Sequence, residues 1–192
     1  MVFMNKKSMY SAAVMLGLST VSFCGAASAA VWTLTPQSQI SFKIKSLGLS
    51  QVKGDFHHFQ SKLRFDPEAP NKGRVELQLE ASSVTFSSPE LKNLILGSDY
   101  FFVEKYKKVK FISTSIQAQA YQHYSVKGNL TIRGVTQPVV FDTKLIPNAE
   151  NPKLMDVHSK AVINRTAFGM KKSLGGVGEK VHIELKGQWN KQ

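Results

Sequence analysis

In the stretch SQISFKIKS, residues 38–46, polar and apolar side chains alternate from Gln39 to Lys45. Ile40, Phe42 and Ile44 fall on one side, and Ser41, Lys43 and Lys45 on the other. Successive side chains of a β-strand point to opposite faces, so the stretch reads as a half-buried strand. The pattern returns along the chain. Val75, Leu77, Leu79 and Ala81 are in phase, before a shift at Val84 and Phe86. Val126, Leu130 and Ile132 share a face, as do Val139, Phe141 and Leu145, then Val157, Ala161 and Ile163, then Val181, Ile183, Leu185 and Trp189. KVKFISTSIQAQA at 108–120 and VWTL at 31–34 add two more, for about eight or nine strands. Phe59, Leu63 and Phe65 share a face with Phe56 out of step, which predicts a β-bulge at His57–His58.

One segment departs from this period. In SSPELKNLILGSDYFFVEKY, Ser88 precedes Pro89 and Glu90, a helix-start signature, and Gly97 is a natural stop. Leu91, Leu94 and Ile95 make one apolar face, and Tyr100, Phe101 and Phe102 follow on a second short turn. The longest loop-like stretch runs from Pro147 to Lys153. Leu174 to Gly178, LGGVG, lacks the spacing and strand–helix setting of a dinucleotide loop and reads as a hairpin connection. Antiparallel strands without a βαβ rhythm define an all-β protein with one or two short helices, closed as an eight-stranded antiparallel barrel. Such an interior is just wide enough for side chains or one slender ligand. An outer-membrane barrel would need an apolar outer face and aromatic girdles; the helix and the missing girdles argue against it.

The N-terminus reads MVFMNKKSMYSAAVMLGLSTVSFCGAASAAVW. Lys6 and Lys7 precede an apolar run from Met9 to Cys24, and Ala27-Ser28-Ala29 forms an A-x-A cleavage site. Residues 1–29 are therefore expected to be a Sec-type signal peptide, with residues 30–192 as the exported, periplasmic domain. The apolar run is too short and too rich in Ser and Gly for a membrane anchor. Cleavage would remove two lysines and the only cysteine, lowering the net charge from +12 to +10 and leaving no thiol or disulfide chemistry. The excess of lysine favours anionic partners such as headgroups, phosphates or a membrane surface; nucleic acid is not expected in that compartment. Lys105, Lys107, Lys108 and Lys110, with Lys171 and Lys172, read either as a solvated face or as a basic mouth.

No G-x-S-x-G, H-E-x-x-H, C-x-x-C or P-loop motif is present. His57 and His58 are adjacent and point to opposite faces of a strand, and His123, His158 and His182 are isolated. No metal site, cofactor or catalytic residue is expected, and the chain does not read as an enzyme.

AVINRTAFGMKK, residues 161–172, raises a separate question. Arg165 shares the phase of Val157, Ala161 and Ile163, so it points inward near one barrel end. A buried guanidinium must be paired and hydrogen-bonded. Asp99, Glu104, Glu179 or a ligand could provide that partner. Phe168 and Met170 beside it offer an adaptable apolar lining.

Four blocks, LTPQSQISFKIKSLGLSQVKGDF at 34–56, VKGNLTIRGVTQPVVF at 126–141, INRTAFGM at 163–170 and GEKVHIELKGQW at 178–189, resemble the successive blocks of the YceI-like family. The resemblance implies a lipocalin-like barrel closed by a helix. It also implies export and binding of amphiphiles, especially polyisoprenoids such as isoprenoid quinones or polyprenyl phosphates. Relatives carry an Asp-x-His-Leu run before a DFFD block; here Lys92 and Leu94 replace the Asp and His, and Phe102 replaces the last acid. The expected function is a periplasmic binding or carrier protein for a long isoprenoid or other lipid. Phe42, Leu94, Phe101, Phe111, Phe141, Ile163, Phe168 and Met170 are the expected apolar lining, with Arg165 at the polar head. A ligand-free interaction module and an accessory to a quinone-dependent enzyme are the alternatives. Transient membrane contact and a homodimer paired through exposed edges are further expectations.

Overall fold

The computed structural model describes residues 30–46, 51–87, 91–172 and 177–192. Eleven strands and one α-helix follow in order: β1 (Ala30–Leu34), β2 (Gln39–Ser46), β3 (Val52–Phe56), β4 (Phe59–Phe65), β5 (Arg74–Glu80), β6 (Val84–Phe86), α1 (Leu91–Leu96), β7 (Lys108–Ala120), β8 (His123–Ile132), β9 (Val135–Pro147), β10 (Leu154–Asn164) and β11 (Val177–Lys191). The expected signal peptide and the helix-start residues Ser88 to Glu90 lie outside the described residues, as does most of the LGGVG stretch. Gly178 at its end already belongs to β11.

The eleven strands make eight staves of a closed antiparallel barrel. β11 pairs along one edge with β10, and along the other with β2 and then β1. Thus β1 and β2 form one stave, interrupted at 35–38. In the same way β4 pairs with β1 and β5, while β3 pairs with β2 and β6, so β3–β4 and β5–β6 are two more broken staves. β7 to β10 continue the meander from β5 to β11. Closure through the β1–β11 pairing removes most of the free edge that an open sheet would have.

The break at His57–His58 corrects the expected bulge. Phe56 and Phe59 both turn inward, although three positions apart, because the chain changes partners between β3 and β4 rather than kinking within one strand. The phase shift after Ala81 has a similar cause, a 3-10 turn at Ala81–Ser83 between β5 and β6. β6 does not continue the ladder of β5 to β7. α1 and residues 97–107 fill that gap and close one end of the barrel. A six-residue helix is too short to be stable alone; Ile95 anchors it in the core. At the opposite end Phe65 and Tyr124 meet edge to face at 5.2 Å, near buried Met155 and Trp189.

Two features shape the interior. Gly128 on β8 lies under the Phe111 ring from β7, and a Cβ there would strike that ring and the Ile112 carbonyl. The wall also has a seam. The β9–β10 ladder ends at Asp142↔Lys160, and beyond it residues 135–141 and 161–164 run on paired only to β8 and β11. Side chains bridge its far end, where Gln137 Nε2 donates to the Ala167 carbonyl at 3.0 Å.

Candidate lipid-binding cavity

Inward residues from every stave enclose a cavity of about 150 Å³. Its wall is almost wholly apolar because the period-two strands turn their aliphatic and aromatic side chains inward. Phe42, Phe101, Phe111, Phe141, Ile163, Arg165 and Met170 line it, as the sequence pattern anticipates. Phe42 packs against Phe56, Phe86 and Phe101 with centroids about 6.1 Å apart, forming an aromatic layer beneath α1. Phe111 and Phe141 meet edge to face at 4.9 Å from opposite sides of β8. Phe141 also borders a shallow outer depression of about 380 Å³ at the seam, with Val140, Ala161 and Val162.

Two expected lining residues lie elsewhere. Leu94 is 41 % exposed on the outer side of α1, while Leu91 and Ile95 of the same helix face the cavity. Leu94 stands at the edge of that apolar face, about 100° around the helix from Ile95, and on a single short helix tilted over the barrel end the packing of Leu91 and Ile95 turns it outward. Phe168 is fully buried but is not part of the cavity wall. It closes the 3-10 turn Arg165–Phe168, where the chain has left the strand and its period no longer applies.

Arg165 sits at the start of that turn and is 1 % exposed. Asn164 caps the turn by accepting from Thr166 N at 3.0 Å, and Gly169 ends it at φ +74°, a left-handed conformation that favours glycine. The guanidinium donates from Nε to the Gly178 carbonyl at 3.0 Å, from Nη2 to the Lys172 carbonyl at 3.1 Å, and from Nη1 to the Lys171 carbonyl. Its carbon lies 5.6 Å from the centre of the Tyr100 ring. Main-chain carbonyls thus take donors for which the sequence left a carboxylate or a ligand open as partner. Asp99 pairs with Lys171 Nζ at 3.2 Å, and Glu179 accepts from Asn164 Nδ2 at 3.4 Å. Burial pushes the Tyr100 hydroxyl above its ordinary value, against the pull of Arg165. Arg165 therefore ties residues 171–172, the start of β11 and the turn after α1 into one plug.

The sequence reading missed Tyr100, Thr143 and Ser159 in the wall. Phase could have found the last two: Thr143 is in step with Phe141 and Leu145, and Ser159 with Val157 and Ala161. Among the described residues, no group of three His, Cys, Asp or Glu is placed to hold a metal ion. His158 Nε2 instead lies 2.7 Å from Glu184 on the outer wall.

Barrel, helical plug and enclosed apolar cavity define a lipocalin-like β-barrel. The chain belongs to the YceI-like family: residues 32–189 match the YceI-like domain. A UPF0312 protein of Serratia proteamaculans is 32 % identical over 165 residues, covering 83 % of this chain and 85 % of the relative. Among solved structures, Burkholderia cenocepacia BcnA superposes with a TM-score of 0.73 at 22 % identity, over 81 % of this chain and 98 % of its own. A domain from Saccharophagus degradans, described as polyisoprenoid binding and implicated in plant cell wall breakdown, superposes with a TM-score of 0.66 at 12 % identity. It covers 85 % of this chain and 99 % of its own.

Proposed function

We propose that this protein binds and carries a long amphiphilic chain, of isoprenoid or other lipid type, inside the barrel after export to the periplasm. The enclosed apolar cavity carries this reading. Each CH2 moved from water into such a site contributes about 0.8 kcal/mol, so a long chain gains much with little demand for side-chain specificity. The polyisoprenoid-binding description of the Saccharophagus relative supports the same class of ligand. A binding role rather than catalysis is supported by the YceI-like domain match and by the polyisoprenoid-binding description of the Saccharophagus relative. Exposed Lys105, Lys107, Lys108, Lys171 and Lys172 lie on the segments around the α1 end, where they suit brief contact with an anionic membrane surface. A homodimer is compatible with this reading but no part of it.

A second reading, a ligand-free scaffold or interaction module, is favoured by the size of the cavity. About 150 Å³ is small beside the roughly 300–1,000 Å³ of common ligand pockets. Mass spectrometry of an organic extract separates the two, using protein purified from the periplasm of a native-like host without detergent. The carrier reading expects a stoichiometric isoprenoid or other lipid. An empty protein that also takes up no added isoprenoid would establish the scaffold.

A further inference from the structure

Besides Ser41, Tyr100 and Arg165, the apolar wall is interrupted by one pair of hydroxyls. Thr143 on β9 and Ser159 on β10 are direct cross-strand partners, both turned inward and lining the cavity. They are 5 % and 6 % exposed, and their hydroxyl oxygens lie 2.6 Å apart. A hydroxyl has one hydrogen and two lone pairs. One of the two hydrogens bridges the pair. The other has no acceptor among the described residues, because this is the single hydrogen bond that either side chain makes. The buried hydroxyl of Ser113 differs, since it accepts from Val75 N at 2.8 Å and serves the sheet. A buried donor left without an acceptor costs about 1–3 kcal/mol.

The surroundings restrict what could answer that donor. The inward neighbours along the two strands are Phe141, Leu145, Val157 and Ala161, and the partners across the adjacent strands are Tyr124 and Leu185, all without charge. The next in-phase cation is Arg165, just past the end of β10 and six residues on from Ser159, which at about 3.3 Å per residue is roughly 20 Å away. An anionic group beside Thr143 would therefore be buried without a counter-charge, at high cost. A neutral acceptor oxygen needs none.

We infer that Thr143 and Ser159 form a subsite for one neutral acceptor oxygen, of the ketone carbonyl class, on the chain held in the cavity. The inference rests on the carrier reading and narrows its ligand. A neutral carbonyl-bearing head can be held at this depth, where a phosphate head would be buried without a counter-charge.

The test compares 2-tridecanone with tridecane, whose chains match, in equilibrium dialysis against wild type and against Thr143→Val/Ser159→Ala. The double variant is expected to lose about tenfold in affinity for the ketone, or about 1.4 kcal/mol, and nothing for the alkane. Its melting temperature should match or exceed that of wild type, because replacing both polar partners by apolar groups of similar shape removes the stranded donor. The infrared carbonyl band of the bound ketone should lie at lower wavenumber in wild type than in the variant. Equal binding of both probes by both proteins would overturn the subsite and leave the carrier reading standing. So would a destabilised variant with an unmoved band, the mark of a purely structural pair. Uptake of neither probe by wild type would overturn the carrier reading and the subsite together. Ser159→Ala alone provides the same comparison with the smaller change.

Discussion

The Arg165 guanidinium stacks 5.6 Å from the centre of the Tyr100 ring and donates to three main-chain carbonyls of the segment closing the barrel. The chain after β10 is thereby tied to the turn after α1, and both to the start of β11. An arginine at the end of an apolar strand holds the plug in place, and its planar fork reaches several carbonyls at once.

Arg165→Ala should therefore destabilise the fold by about 3 kcal/mol, because carbonyls buried around the guanidinium lose their donors. Arg165→Lys should recover only part of that, since an ammonium lacks the fork. Urea denaturation measures both. An Arg165→Ala protein of wild-type stability would refute a structural role.

Acid should weaken the barrel through Glu184. Its carboxylate accepts from His158 and from Lys186, which hold its pKa at about 2 against an ordinary 4.5. A folded-state pKa below the unfolded one means that the stabilisation is fully present above pH 4.5 and is lost as pH falls toward 2. Glu184→Gln should flatten the stability profile across that window and leave its shape near neutrality unchanged. A parallel slope in wild type and variant between those limits would show that Glu184 is not responsible.

The seam between β9 and β10 should be the first part of the wall to open. Amides of residues 135–141 and 161–164 that face the seam have no ladder partner beyond Asp142↔Lys160. Local opening is governed by such missing bonds. Hydrogen exchange there should run at least tenfold faster than in the β7–β8 ladder. Uniform protection around the barrel would mean that the seam is closed in solution.

Most of the barrel was legible along the chain because period two is a local property. Ile40, Phe42 and Ile44 declare their face without knowledge of any partner, and so do Val157, Ala161 and Ile163. The cavity residues on uninterrupted strands, Phe111, Phe141 and Ile163, followed directly from that phase. Failures cluster where the period lapses. Leu94 lies on one helical turn whose inward face is chosen by packing, and Phe168 on a 3-10 turn beyond the end of β10. Phe56 and Phe59 broke phase because β3 and β4 pair with different strands.

The sequence by itself determined the strand-rich class, the family blocks, the inward faces and the inward turn of Arg165, because alternation and block order are written in consecutive residues. The tertiary structure alone decided how three interrupted staves close the barrel and which carbonyls receive the guanidinium. It also decided that the hydroxyls of Thr143 and Ser159 meet across two strands. The guanidinium contacts span 6 to 13 positions across an irregular turn, and the hydroxyl pair spans 16 across two strands, so neither is written in a local period. Strand register brings the two hydroxyls within hydrogen-bonding distance, and the fold of the plug brings the carbonyls to the guanidinium.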